Sequence, residues 1–248
     1  MFPIRDHNPS SRTPFVTYAL IAINVLIFIG YSDMFDNPRR LYAFFDAWAL
    51  FPDRVSRGED LHGLFSTMFL HGGWMHLRGN MLFLWIFGDN LEDEMGHLGY
   101  LFFYLASGLA AALAHVIAAP WSDVPTVGAS GAIAGVMGGY LLLFPRARVD
   151  ILFFIVFFIR IFTVPAWIVL AAWFGFQIIG GAGADATGGG VAYWAHAGGF
   201  VAGFVLTLPL WLRRGATRYW QRQHGRPPHP EVQYHYSSSR IPTVRRKR

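Results

Sequence analysis

The sequence predicts an all-α polytopic membrane protein, a bundle of six transmembrane helices with a large non-cytoplasmic first loop. Three observations lead there. Of 248 residues, 54% are hydrophobic and only 14% charged. Mean hydropathy is positive, at +0.35. The apolar residues gather in long runs and do not alternate as half-buried strands would. Cysteine is absent, which excludes a disulfide framework, a thiolate metal site and a cysteine nucleophile.

In chain order, residues 1–14 form a short cytoplasmic N-terminus. The first apolar run, 15–31, is too long for a signal h-region and no small-residue cleavage site follows it, so it is a retained span. The connection 32–75 is too long for an ordinary interhelix loop and mixes Tyr42, Phe44, Phe45, Trp48 and Phe51 with charges. It is expected to pack as an amphipathic structure in the outer interface. Further spans are expected at 76–91, 98–118, 128–144, 165–182 and 191–212, each near the length a bilayer requires. The apolar stretch 151–164 is short, carries Arg160 and ends at Pro165, so it reads as an interfacial connection. Glycine-rich residues 183–190 form either an ordinary loop or a movable gate. Residues 213–248 read as a basic, disordered tail.

Six spans place both termini on one side. That side then carries fifteen Lys and Arg, ten of them beyond Leu212, against Arg39, Arg40, Arg54, Arg57 and Arg78 on the other. The asymmetry makes the termini cytoplasmic, in a chain expected at the cell membrane, and the tail is suited to anionic lipid. No motif beyond bare charge suggests nucleic acid.

Polar groups inside a membrane domain are costly and therefore candidates for function. Measured from Arg146 at about 1.5 Å per residue, Ser130 stands roughly 24 Å above the cytoplasmic end of the fourth span. Measured from Arg213, His196 stands roughly 25 Å up the sixth, and from Glu92, His76 and Asn80 stand roughly 24 Å and 18 Å up the second. Four polar groups from three helices thus share one outer layer. Gly131, Gly135 and Gly139 on the fourth span, and Gly199 and Gly203 on the face of His196, form stripes that let backbones approach closely. His76 and Asn80, four residues apart, also share a face.

A serine at the head of such a helix is either packing or a nucleophile. As a nucleophile it needs a base, and neutral imidazole serves near pH 7. A tetrahedral intermediate needs donors, which an Asn amide, a His N–H and the N–H groups of a helix start can provide. No carboxylate lies near His196 in its own span, and Asp123 and Asp185 are weak third members, so a Ser130–His196 dyad is expected. His71 reads as a structural hydrogen-bonding residue, and His62, His97 and His115 as structural or interfacial. No spacing suggests a metal, and no cofactor is expected.

These residues resemble the rhomboid family of intramembrane serine proteases. The resemblance covers roughly 15–212, and rests on "FLHGGWMHLRGNM" (69–81), "GASG" (128–131) and "AHAGGFVAG" (195–203), in that order. It implies Ser130 as nucleophile and His196 as general base and acid. It further implies an oxyanion hole made by His76, Asn80 and backbone N–H groups of Gly128 and Ser130. The implied substrates are membrane-anchored proteins, cut in or near their transmembrane segments. The implied alternative is a non-catalytic rhomboid-like protein that binds client transmembrane helices. Two departures from the family pattern stand out. His62-Gly63-Leu64-Phe65 replaces a Trp-Arg pair that many members carry in the first loop, and Ala134 stands where some members pack an aromatic ring on the histidine.

Overall fold

The computed structural model describes residues 2–155, 158–183 and 191–226. In chain order they form β1 (Phe2–Asp6), α1 (Phe15–Tyr31), α2 (Pro38–Trp48), α3 (Pro52–Ser56), α4 (Gly63–Ser66), α5 (Trp74–Met95), α6 (His97–Ala118), α7 (Ser130–Leu143), β2 (Arg148–Ile155), β3 (Phe158–Pro165), α8 (Ala166–Gly183), α9 (Tyr193–Arg213) and α10 (Thr217–Gln223). The chain is mostly helical. Four helices are long and apolar enough to cross a membrane: α1 with its extension to Asp36, α6, α8 and α9. The protein is accordingly an integral membrane protein.

The two remaining long helices differ from these for physical reasons. α5 has 22 residues, but its last turns carry Asp89, Glu92, Asp93 and Glu94. α7 has only 14, roughly 21 Å at 1.5 Å per residue, which is short of a hydrocarbon core of about 30 Å. The expected fourth span at 128–144 is thus shorter at its head, where the helix begins at Ser130 itself. α7 is buried almost throughout, and α5, α6, α8 and α9 all pack around it.

The expectation of an all-α protein is corrected by a three-stranded antiparallel sheet in the order β1-β2-β3. The described residues of the stretch 151–164, expected as an interfacial connection, lie in the β2 and β3 strands. Its β-branched and aromatic residues suit a pleated surface, and it is too short for a span. Asp150 holds the sheet together, accepting from Arg5 Nε (2.7 Å), pairing with His7 Nε2 (2.9 Å) and accepting from Thr163 Oγ1 (2.5 Å). Burial alone would raise the Asp150 carboxyl, but the bonds from Thr163, His7 and Arg5 outweigh it and hold the group below its usual range. The sheet joins the bundle where Tyr140 Oη donates to Asp6 (2.7 Å) and Asn90 Nδ2 donates to the Asn8 carbonyl (2.6 Å).

Expected disorder from 213 onward is also corrected over α10. Tyr219 is buried, Trp220 packs on Trp211, and the Trp220 indole N–H donates to the Leu142 carbonyl at 2.9 Å. The rest of the expected tail, 227–248, lies outside the described residues, as do residues 184–190 of the candidate gate.

The first loop folds into α2, α3 and α4. Where a Trp-Arg pair is missing, Arg54 braces it through Asp46 and through Asp60 (3.1 Å), and His62 Nε2 bonds the Ala47 carbonyl (2.8 Å). Tyr31, at the end of α1, ties this loop to α5 by donating to the His71 carbonyl (2.9 Å) and accepting from the His71 N–H (2.7 Å).

At the opposite end of α1, Pro14 provides no side-chain cap. Glu92 of α5 takes over, accepting from the N–H groups of Val16 and Thr17 (both 2.8 Å) and from Thr17 Oγ1 (2.7 Å). A carboxylate there satisfies orphan donors and complements the helix dipole. Glu92→Ala strands these buried donors and is expected to cost on the order of 3 kcal/mol. Glu92→Gln, which keeps one acceptor oxygen, should cost less. Thermal unfolding of detergent-solubilised protein checks the order: Tm of wild type above Gln above Ala. Equal Tm for Ala and wild type would refute the capping role.

Candidate active site

Ser130 is the first residue of α7, and the chain reaches it through an unusual backbone turn. Gly128 has φ +138°, a conformation side chains rarely adopt. Its N–H donates to the Thr67 carbonyl at 2.9 Å. A Cβ there would lie 2.9 Å from both Cε1 and Nε2 of His76 and 3.3 Å from Ser130 Oγ. Glycine is therefore required at 128 by conformation and by space, and the His76 ring rests directly on it.

His196, in the first turn of α9, reaches Ser130 because α7 and α9 touch backbone to backbone. A Cβ on Gly199 would sit 2.1 Å from the Gly131 carbonyl oxygen, and one on Gly203 would sit 2.0 Å from that of Gly135. The expected stripes thus meet, though the missing side chains of Gly131 and Gly135 leave room mainly for Ala111 and Ser107 of α6. That of Gly139 leaves room for Thr207 of α9. With the helices this close, His196 Nε2 lies 2.7 Å from Ser130 Oγ.

The partners of the two histidines assign their tautomers. The Gly72 N–H, which can only donate, points at His76 Nδ1 (3.3 Å). Nδ1 is then the acceptor, and Nε2, the atom beside Gly128, carries the proton. His196 is arranged the other way, with Nδ1 2.8 Å from Oε1 of Gln177 on α8 and Nε2 facing the serine. Asn80 is buried on the face of His76, as the four-residue spacing implied. One of its two amide N–H groups is used on the His76 carbonyl, at 3.0 Å.

These groups border a cavity of about 1180 Å³ at one end of the bundle, lined by α5, α6, α7, α8, α9 and the segment that leads from α6 to α7. Its lining includes His76, Asn80, Ser130, Trp173, Tyr193 and His196. Water occupies about 30 Å³ per molecule in the liquid, so the space is far larger than a single water molecule needs. Among the described residues, no group of three His, Cys, Asp or Glu side chains is placed to bind a metal ion.

Gln177 and Trp173 were not anticipated as site residues. The available signal was that Gln177 is the single strongly polar residue in AWIVLAAWFGFQIIGGAG. Trp173, one turn earlier, packs on the His196 ring (centroids 5.7 Å apart), so the stacking aromatic comes from α8 while position 134 remains alanine. His71 is fully buried, and its backbone makes the hydrogen bonds with Tyr31. Its ring nitrogens have no hydrogen-bond partner among the described residues, and its ring packs edge-on to His76. Burial, with a smaller contribution from His76, pushes its pKa down to about 3. His97 Nδ1 pairs with Glu92 (2.6 Å), and His115 Nε2 bonds Thr126 Oγ1 (2.9 Å) in the wall of the cavity that Ser130 also lines.

Fold and site together define a helical membrane protein with a hydroxyl–imidazole pair set below one end of its bundle. Residues 58–213 match the Rhomboid domain family model, which is more than half the chain, and the chain belongs to the rhomboid family. It is 31% identical over 197 residues to the mitochondrial Rhomboid protein 1 of Saccharomyces cerevisiae, covering 77% of this chain and 51% of that protein. It is 34% identical over 130 residues to Rhomboid protease GluP of Bacillus subtilis (52% of this chain, 24% of that protein). Similarity to Rhomboid-like protease 5 of Toxoplasma gondii is 32% over 180 residues (68% and 18%). The chain therefore matches about half the length of the yeast protein and less of the other two.

Substituting Gly128 by alanine forces a Cβ against the His76 ring and imposes backbone strain of about 1–3 kcal/mol. Labelling of Ser130 by a serine-directed fluorophosphonate should fall by about tenfold or more in Gly128→Ala, with the helical circular dichroism spectrum retained. Labelling at the wild-type rate would show that this close contact does not matter to the site.

Proposed function

We propose that this chain is an intramembrane serine protease that hydrolyses peptide bonds in or near the transmembrane segments of membrane-anchored proteins. The observation that carries the reading is the 2.7 Å contact of Ser130 Oγ with His196 Nε2 beside a cavity large enough for peptide and water. Ser130 attacks the scissile carbonyl while His196 takes its proton. The developing oxyanion lies against the Nε2–H of His76, the second N–H of Asn80 and the backbone N–H of Ser130, whereas the Gly128 N–H, expected among these donors, is already held by the Thr67 carbonyl. His196 then returns the proton to the leaving amine. Water entering the cavity hydrolyses the acyl-enzyme with His196 again acting as base. Kinship with proteins named as proteases in Bacillus subtilis and Toxoplasma gondii supports the reading. The alternative, a non-catalytic binder of client helices, gives no reason for the serine and histidine to be held in mutual hydrogen-bonding register.

The same reading takes 15–212 as a six-span protease domain, with α5 and the short α7 completing the bundle inside the shell of apolar helices. Both termini are cytoplasmic, the first loop and the cavity mouth lie on the other side, and the basic residues beyond Leu212 face anionic lipid. Substrates are transmembrane proteins.

Ser130→Ala and His196→Ala should each abolish cleavage of a model single-span substrate, and Ser130→Ala should also abolish fluorophosphonate labelling. Near-wild-type cleavage by either variant rules out the dyad. Asn80→Ala should lower the rate by at most about 10²–10³, the usual cost of one oxyanion donor, because other donors remain. An unchanged rate removes Asn80 from the site. Reporter fusions after Tyr31 and after Arg248 should report opposite sides of the membrane, and finding them on one side refutes this topology.

A further inference from the structure

We infer that Gln177 is a positioning residue for His196, a neutral acceptor that fixes the tautomer in which the imidazole can take a proton from Ser130. The inference rests on the proposed roles of Ser130 and His196 and adds a third group to them. It begins with the cost of a polar side chain on α8. Gln177 is buried within a helix otherwise built from aliphatic, aromatic and glycine residues. Away from water, both ends of its amide need protein partners.

Both partners are present, and together they determine which way the amide points. One end approaches the Trp173 carbonyl, one turn back on the same helix, at 3.3 Å. A carbonyl only accepts, so the NH₂ end must face it, which turns Oε1 toward His196 Nδ1 at 2.8 Å. An amide oxygen also only accepts, so Nδ1 carries the proton. Nε2 is left with its lone pair directed at the serine hydroxyl, 2.7 Å away. The chain of donors therefore runs from Ser130 O–H to His196 Nε2, and from His196 Nδ1–H to Gln177 Oε1.

Two further features fit this role. Trp173 lies against the His196 ring, so α8 limits rotation of the imidazole plane while Gln177 sets its hydrogen bond. Gln177 is also uncharged. A carboxylate in the same buried place would bind the imidazolium more strongly but would require desolvating a full charge. The amide dipole steadies the positive charge that develops on the ring without taking the proton, so the proton resides on His196 until the leaving amine accepts it.

The test uses the full chain in detergent, with a fluorophosphonate as the probe of Ser130 and ¹⁵N spectra of labelled histidine as the probe of tautomer. His196 signals are assigned by their loss in His196→Ala. In wild type the spectra should show His196 protonated at Nδ1. Gln177→Met has similar length and no amide; it should lower the labelling rate by roughly 10–100-fold, a part of the roughly 10²–10⁴-fold that general-base assistance contributes. It should also convert His196 to a mixture of tautomers. Gln177→Glu restores an oxygen acceptor and should recover most of the rate and the Nδ1–H form. A Met variant that labels at the wild-type rate, or keeps a single Nδ1–H tautomer, overturns the inference. If the Met variant does not fold, a folded Glu variant that lacks the Nδ1–H form overturns it equally. Failure of wild type to label at Ser130 counts against the protease reading, and the tautomer spectra still decide the role of Gln177.

Discussion

The site depends on one constraint, the absence of side chains where α7 meets α9. Two ordinary helices pack at interaxial distances of about 8–10 Å because their side chains hold them apart. Here Gly199 and Gly203 face the carbonyls of Gly131 and Gly135 with no room for a methyl group. In lipid there is little hydrophobic drive for helices to associate, so close van der Waals contact has to supply the attraction. The same contact sets the distance between Ser130 and His196, because both stand in the first turns of the two helices it joins. Stability and site geometry are thus consequences of one packing decision.

A second constraint follows from the medium. Polar groups among apolar helices need partners, and the way they are partnered directs their protons. The Gly72 N–H leaves His76 as a donor toward Gly128, and Gln177 leaves His196 as an acceptor toward Ser130. Two identical side chains within one cavity are thereby left with their protons on opposite ring nitrogens. At the other end of the bundle the same rule serves stability alone. Glu92 caps α1 from α5, and Asp150 gathers Arg5, His7 and Thr163 around one carboxylate.

The helices and the site were legible in the sequence to different degrees. Long apolar runs and the rise per residue were sufficient to level Ser130, His196, His76 and Asn80, because a straight helix converts residue number directly into depth. The sheet was not legible: β2 and β3 are mostly apolar and alternate only in short pieces such as Arg148-Val-Asp-Ile151, a pattern that does not separate a buried strand from a short helix. The pairing of β2 with β1 joins residues more than 140 positions apart. α10 was hidden by composition, since its arginines suggest a solvated tail while Tyr219 and Trp220, the residues that dock it, are a small minority. Gln177 was visible as a lone polar residue but not as a partner of His196. Spacing relates residues within one helix, and the partner of Gln177 lies on the next.

The shortness of α7 connects these observations. A helix of full span would carry its first residue to the membrane surface, where no walls could exclude bulk solvent or hold a peptide. A helix of 14 residues starts lower, and the longer α5, α6 and α9 rise beside it. The space beside its first turn is the cavity, and the first N–H groups of that turn have no partner within the helix. Those groups would be a liability in lipid and are an asset in a wetted cavity, where they can meet water or a carbonyl oxygen. Truncating one central helix therefore produces the recessed position of Ser130, the room beside it and the donors at its head together. Gly128 sets where the truncation falls, because its backbone conformation begins α7 at Ser130 and admits the His76 ring in the same step.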